Sequence, residues 1–271
     1  MMDVFEVTRG SSPIILGLPH TGTFIPEKIL ERLNDTGRGL TDTDWHIHEL
    51  YAGLLPAAST VRAVFHRYVL DANRPPGNES LYPGQNTTGL VPLTDFDGQP
   101  IWKPGLEPND ADIGERTAKF HAPYHAALKE EIDRVRAAHG VAVVFDCHSI
   151  RSIVPFLFAG KLPDLNIGTA GGVTCHADIE SAAMDTARSA HGYTSVLNGR
   201  FTGGWTTRHY ADPANNVHTI QLELAQDTHL VAEAAPFQLD PDKSARLRPV
   251  LALMLERIEA GAHSLSVKEK P

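Results

Sequence analysis

The sequence predicts an α/β protein, with a mixed, mostly parallel central sheet between two layers of helices. Three observations carry that expectation. Residues 14–18 and 141–145 are uninterrupted apolar runs rich in β-branched residues, as strands buried on both faces require. Strand-like and helix-like patterns then alternate along the chain. Each of the two runs also leads into a histidine, His20 or His148, on the carboxyl side of a strand, where open α/β sheets form crevices.

Taken in order, residues 14–18 form the first strand and 26–33, with a proline in the first turn, the first helix. A helix over 44–54 starts behind an acidic cap, and strands over 60–65 and 68–70 precede a long charged helix over 111–138 that Pro123 breaks. Strands over 141–145, 154–158, 194–197 and 217–224, with helices over 178–190 and 243–260, complete the alternation. Residues 75–109 differ: they are rich in Pro, Gly, Asn and Thr and hold no sustained period. A long irregular stretch of this kind covers an active site or is disordered, and Tyr82, Phe96 and Trp102 favour an ordered cover.

With 271 residues, 42% of them hydrophobic and 21% charged, the chain can bury a full core. No low-complexity linker divides it, so residues 1–271 are expected to form one domain. A net charge of −9 and a pI near 5.8 argue against a nucleic-acid groove, which needs clustered Lys and Arg. Local arginines can still bind an anion. Cys147 and Cys175 imply no disulfide framework, and Cys147 reads as packing rather than as a nucleophile. No basic stretch precedes an apolar run at the N-terminus, and no apolar run reaches the roughly 18 residues of a membrane span. A soluble, cytoplasmic protein is expected, with no membrane or nucleic-acid partner; its oligomeric state is not legible.

Zinc binds neutral imidazole and carboxylate, and catalytic sites usually combine three protein ligands with one open position. His20 and His148 supply two imidazoles. The third ligand comes best from Thr41-Asp42-Thr43-Asp44-Trp45: Asp44 at the predicted helix start is preferred, and Asp42 is the rival, also suited to capping the helix. Asp146 is placed to orient a ligand. Along 218–224, strand alternation puts Thr219, Gln221 and Glu223 on one face. A glutamate among so many apolar neighbours must be neutral, paired or functional, and beside a reacting water it would be a general base. Arg67 and Arg74 bracket a short apolar run; a guanidinium grips a carboxylate with two parallel bonds or steadies an oxyanion. Arg200 and Arg208 could add carboxylate contacts from a loop. Each residue also has a plainer reading, as a bonded loop histidine, a paired structural carboxylate or a surface arginine. His121 and His125 share zinc spacing on a helix, but no glutamate follows His121 and Pro123 separates the two, which favours a surface pair.

The blocks Pro19-His20-Thr21-Gly22, Asp42-Thr43-Asp44-Trp45-His46, Asp71-Ala72-Asn73-Arg74, Phe145-Asp146-Cys147-His148-Ser149, Asn198-Gly199-Arg200-Phe201-Thr202-Gly203-Gly204, Thr207-Arg208-His209-Tyr210 and Gln221-Leu222-Glu223-Leu224-Ala225-Gln226 together resemble the N-formylglutamate amidohydrolase (deformylase) family. The match runs in order over residues 13–238. That resemblance implies hydrolysis of N-formyl-L-glutamate to L-glutamate and formate in histidine degradation. It also implies the phosphorylase/hydrolase-like three-layer architecture shared with zinc carboxypeptidases and aspartoacylase. In that wider group a glutamate ligand follows the first zinc histidine by three residues; here position 23 is Thr, which leaves the third ligand open and favours Asp44.

The combined expectation is a divalent metal, zinc foremost, on His20, His148 and Asp44. Glu223 serves as base and Arg67 as oxyanion stabiliser. Asn73 and Arg74, with Arg200 and Arg208, hold the two carboxylates of a small-molecule substrate. The nearest rival is a related metallo-amidohydrolase acting on another N-acyl amino acid or a peptide C-terminus. A binding module for acidic amino acids would keep the arginines without a working metal centre.

Overall fold

Seven strands form one sheet in the computed structural model, which describes residues 3–81 and 84–268. The strands are β1 (Phe5–Thr8), β2 (Ile14–Leu18), β3 (Ser59–Ala63), β4 (Ala142–Ile150), β5 (Leu165–Gly168), β6 (Ser195–Leu197) and β7 (Val217–Ala225). They lie in the order β1-β3-β2-β4-β7-β5-β6. The pairs β3/β2, β2/β4, β4/β7 and β5/β6 are parallel, whereas β1/β3 and β7/β5 are antiparallel, so the sheet is mixed and mostly parallel as expected.

The helices are α1 (Glu27–Leu30), α2 (Asp35–Arg38), α3 (Ile47–Tyr51), α4 (Asp110–Arg116), α5 (Ala122–His139), α6 (Ala177–Ser189), α7 (Trp205–His209) and α8 (Pro241–Lys268). Leu247, Leu251, Met254, Ile258 and Ala262 recur at helical spacing along α8 and pack with α3 and α6 on Leu16, Phe145, Cys147, Ile220 and Leu222 of one sheet face. The opposite face carries α5, through Tyr124, Leu128, Ile132 and Val135, against Ile15, Val61 and Val144. Each fully buried Leu, Ile, Val, Phe or Met among them contributes about 1.5–3 kcal/mol.

Several elements depart from the sequence reading for identifiable reasons. Residues 68–70 and 154–158 are turns, not strands: Val69 N–H donates to His66 O, and Leu157 and Phe158 N–H both donate to Val154 O. Both runs are largely apolar, which periodicity alone cannot separate from a buried strand. Strand β4 does not stop at residue 145 but continues to Ile150, because β7 pairs with it along its whole length, from Ala142↔Val217 to Ile150↔Ala225. Pro123 leaves the long helix continuous: it sits in the first turn of α5, directly after one π-helical turn at Thr117–His121, where its missing N–H is tolerated. The short strands β1 and β5 and the short helices α2 and α7 add to the expected set. Among the described residues of 75–109 only isolated bridges occur, and Tyr82 lies outside those residues.

This register builds the site. Strand β2 pairs with β4 only as far as Gly17↔Asp146, while β4 and β7 run on together past His148↔Glu223. The shorter strand ends just where His148 is reached, and the chain leaving it brings His20 alongside.

Candidate active site

His20 follows β2, His148 lies within β4, and Asp44 sits in the turn before α3. A backbone clip, Asp44 N–H to His20 O at 3.1 Å, ties the last of these to the first. Thr43 fixes the same turn: its carbonyl accepts from Gln226 Nε2 (2.8 Å) and its hydroxyl lies 3.0 Å from His66 Nε2. His66 Nδ1 accepts from Tyr68 N–H, so its Nε2 carries the proton. All three candidate ligands are buried.

Their donor atoms converge. His20 Nδ1 lies 3.2 Å from His148 Nδ1, His148 Nδ1 lies 3.0 Å from Asp44 Oδ2, and His20 Nδ1 lies 3.7 Å from Asp44 Oδ2. Ligand atoms held about 2.0–2.1 Å from a tetrahedral zinc stand about 3.3 Å apart. The protonation pattern also fits a cation. His20 Nε2–H donates to Asp71 Oδ1 at 2.6 Å and His148 Nε2 faces Asp146 Oδ2 at 3.1 Å. With both protons there, two imidazole lone pairs and a carboxylate oxygen point at one another, which is repulsive unless positive charge lies between them. The other oxygen, Asp44 Oδ1, is buried without a hydrogen-bond partner, 3.7 Å from Arg67 Nη1. Asp42 is not part of it: its Oδ2 accepts from Phe96 N–H at 3.0 Å, and burial lifts its pKa to about 7.

Burial, with Arg67 nearby, lowers the pKa of His20 and keeps it neutral, as a ligand must be. For His148, burial pulls the pKa down, but Asp146 and Asp44 more than offset it and hold it well above the ordinary value.

Asp71 is the residue the sequence reading quoted but gave no role. Its Oδ1 accepts from His20 Nε2 and from Asn73 N–H (2.9 Å), and its Oδ2 accepts from Arg67 Nη2 at 2.6 Å. Burial opposes its charge, but Arg67, Arg74 and His20 outweigh that and hold its carboxyl well below the usual range. Arg67 also lies 3.7 Å from Asp44 Oδ1 and against the Phe96 ring, 4.7 Å from its centroid.

A cleft with about 580 Å³ of empty space opens over these groups. Its walls include His20, His148, Glu223, Arg67, Arg74 and Arg200, with Asn73, Phe96 and Gln221 between them. Glu223 faces the cleft opposite His148 in the β4/β7 register; Gln221 Nε2 donates to its Oε2 at 3.0 Å. Burial raises Glu223 to about 8, against the charge of His148 and with that of Asp44. Gln221 Oε1 in turn accepts from Gly204 N–H at 2.7 Å, which links Glu223 to the loop before α7.

Asn73 is turned toward the ligands: its Nδ2 lies 2.9 Å from His148 Nε2 and 3.3 Å from Asp146 Oδ2, while its Oδ1 accepts from Thr206 N–H. Arg74 donates to Thr88 O and Thr88 Oγ1, and Arg200 to Leu157 O and Asn86 O. Arg208 is not among the cleft residues; it donates to Gly203 O and Thr202 Oγ1 and braces that loop. His121 and His125 are buried rather than a surface pair, held against Trp205 beneath the Asp71–Arg74 segment.

A mixed α/β sheet with imidazoles, carboxylates and arginines gathered around one cleft is the layout of an α/β enzyme. A sequence profile of the family described as N-formylglutamate amidohydrolase matches residues 12–230. The chain is 41% identical to the N-formylglutamate deformylase of Pseudomonas putida and 43% identical to that of Pseudomonas aeruginosa, in each case over 96% of this chain and 97% of the relative. The crystal structure of the N-formylglutamate amidohydrolase from Ralstonia eutropha superposes with a TM-score of 0.80 at 22% identity, covering 97% of this chain and 99% of that one. A gene product of Agrobacterium tumefaciens superposes at 0.71 and 20% identity, over 96% of each chain, and both likenesses confirm the fold. The chain belongs to the N-formylglutamate amidohydrolase family and is an amidohydrolase, acting on a C–N amide bond.

Proposed function

We propose that the protein hydrolyses N-formyl-L-glutamate to L-glutamate and formate, with one divalent cation, zinc foremost, held by His20, Asp44 and His148. The observation that carries this reading is the convergence of the three donor atoms below a cleft that also holds Glu223 and three arginines. The family resemblance supports a role in histidine degradation.

When bound, the cation polarises the formyl oxygen and acidifies water. Glu223 accepts the proton of the attacking water on Oε1, since Gln221 occupies Oε2, and returns it to the amide nitrogen as the C–N bond breaks. Arg67, held by Asp71, faces the cleft with charge that offsets the developing oxyanion. Arg74 and Arg200 meet the two carboxylates of the substrate; the Asn86 and Thr88 oxygens they bond stand in for carboxylate oxygens. Asp146 accepts from His148 Nε2–H and keeps the ring in its ligating orientation, while Asn73 Nδ2 donates to the same Asp146 oxygen.

The test is turnover of N-formylglutamate by zinc-replete protein beside N-formylaspartate and N-acetylaspartate, with Glu223→Gln alongside. N-formylglutamate is expected to be the best of the three, and the variant to lose about 10²–10⁴-fold in kcat. Faster turnover of either alternative overturns the substrate; unchanged turnover in the variant removes Glu223 as base.

A further inference from the structure

We propose that His121 and His125 are positioning residues, which set the Asp71–Arg74 strap over the ligand set from the α5 side. This rests on the reading of His20, Asp44 and His148 as the catalytic centre.

The strap supplies the carboxylate on His20, the amide beside His148 and an arginine of the cleft within four consecutive residues. A segment without regular structure needs its carbonyls fixed by something else. Asp71 O accepts from Arg74 N–H and Asn73 O from Arg74 Nη1, both within the strap. The other two are taken from outside. His125 Nε2 lies 2.7 Å from Ala72 O, and His121 Nε2 lies 3.0 Å from Arg74 O.

A carbonyl only accepts, so both Nε2 atoms carry protons. Nδ1 of His125 is then an acceptor, and the single proton of the Tyr210 hydroxyl is shared between it, at 2.9 Å, and His125 O, at 3.1 Å. Trp205 packs edge-on against His125, its ring centroid 4.5 Å away, and fixes the ring plane. The next residue, Thr206, donates its N–H to Asn73 Oδ1. The clamp thus reaches Asn73 from α5 and from α7 together. The π-helical turn ending at His121 precedes Pro123, which has no N–H to donate to the preceding turn; a π turn inserted in an α-helix re-aims the side chains around it.

The two histidines serve different parts of the strap, and the experiment uses that difference. His125→Leu releases Ala72 O next to Asn73, so cobalt(II) affinity and kcat are each expected to fall about tenfold, with an altered visible spectrum of the cobalt-loaded protein. His121→Leu releases Arg74 O, so KM for N-formylglutamate is expected to rise about tenfold with cobalt affinity unchanged. His125→Gln and His121→Gln return a donor and are expected to recover most of each loss.

Leu variants with wild-type cobalt affinity, kcat and KM overturn the proposal, as do identical losses in the Leu and Gln variants. If His125→Leu fails to fold, Tyr210→Phe removes the hydroxyl that faces both Nδ1 and the His125 carbonyl and is expected to weaken cobalt binding about threefold; an unchanged affinity there overturns it. Should wild-type protein leave N-formylglutamate intact while the cobalt effects appear as stated, the substrate reading fails and the positioning role of His125 stands.

Discussion

Replacing Asp71 by Asn tests the centre of the site without changing its shape. The carboxylate bridges His20 Nε2 and Arg67 Nη2, each at 2.6 Å, and Arg67 is 5% exposed. An amide has one acceptor oxygen and one donor nitrogen, so it can satisfy only one side. With the oxygen toward His20, the NH2 group faces a buried guanidinium whose remaining acid, Asp44, is 3.7 Å away. Removing one partner of a buried ion pair costs about 3–5 kcal/mol. With the amide reversed, its NH2 meets the His20 Nε2 proton; the ring must then carry its proton on Nδ1, where a metal would bind. Loss of such an outer partner typically weakens metal binding about 10–100-fold. Urea unfolding of the metal-free protein and zinc competition against a chelator read the two costs separately. Asp71→Asn that unfolds within about 0.5 kcal/mol of wild type and binds zinc equally well refutes the bridging role, because no amide orientation avoids both losses.

Two further perturbations follow. A Cβ on Gly204 would lie 2.4 Å from Asn73 Nδ2 and 2.6 Å from its Oδ1, while φ there is −78° and strains nothing, so Gly204→Ala acts through Asn73 alone. It is expected to lower stability by about 1–3 kcal/mol and kcat/KM about 100-fold, and a kcat/KM within threefold of wild type would show Asn73 free to move. Burial pushes His125 down to about 3, against about 6.5 in the unfolded chain, so unfolding takes up a proton at this site between those values and the fold loses stability as pH falls from 6.5. Between pH 4 and 6, unfolding free energies of His125→Leu should fall less steeply with acid than wild type by about 1.4 kcal/mol per pH unit; parallel slopes would contradict a neutral buried imidazole.

The strands that were legible are those whose local pattern and tertiary role coincide. β2 matched its predicted bounds because it is central and apolar on both faces, and β7 differed by one residue. β4 was cut short because Asp146 and His148 interrupt its apolar run; only pairing with β7 keeps those polar residues in the strand. β1 and β5 were missed, since four residues such as Phe5–Thr8 carry too little pattern. His20, His148 and Glu223 were legible as candidates at strand ends, and Asp44 as one at a helix start. Asp71 left a fainter signal, an acid between Leu70 and Ala72, four residues after Arg67, that gains meaning only once His20 is beside it. His121 and His125 read as a surface pair because spacing tests a helix alone; the strap and α7 that bury them arrive from elsewhere in the chain.

The departure at position 23 follows from the same geometry. Thr23 is exposed, so a glutamate there would not share the buried donor set, and the clip from Asp44 N–H to His20 O brings the third oxygen in from a separate turn. The resulting charge is lopsided: Asp44, Asp71, Asp146 and Glu223 gather against Arg67 and Arg74, and all four acids are buried. Taking charge out of water favours neutral forms unless opposite charge is near. The chain by itself answers by holding a proton on His148 and by pushing Glu223 up to about 8. Both are the wrong states for the reaction, since an imidazolium cannot ligate and a neutral carboxyl cannot accept a proton. Two positive charges held by His20, Asp44 and His148 would correct both at once, favouring a His148 without its extra proton and an ionised Glu223. On the proposed reading, a divalent ion would therefore supply the charge that lets the buried glutamate act as a base, beyond anything it would do for the substrate.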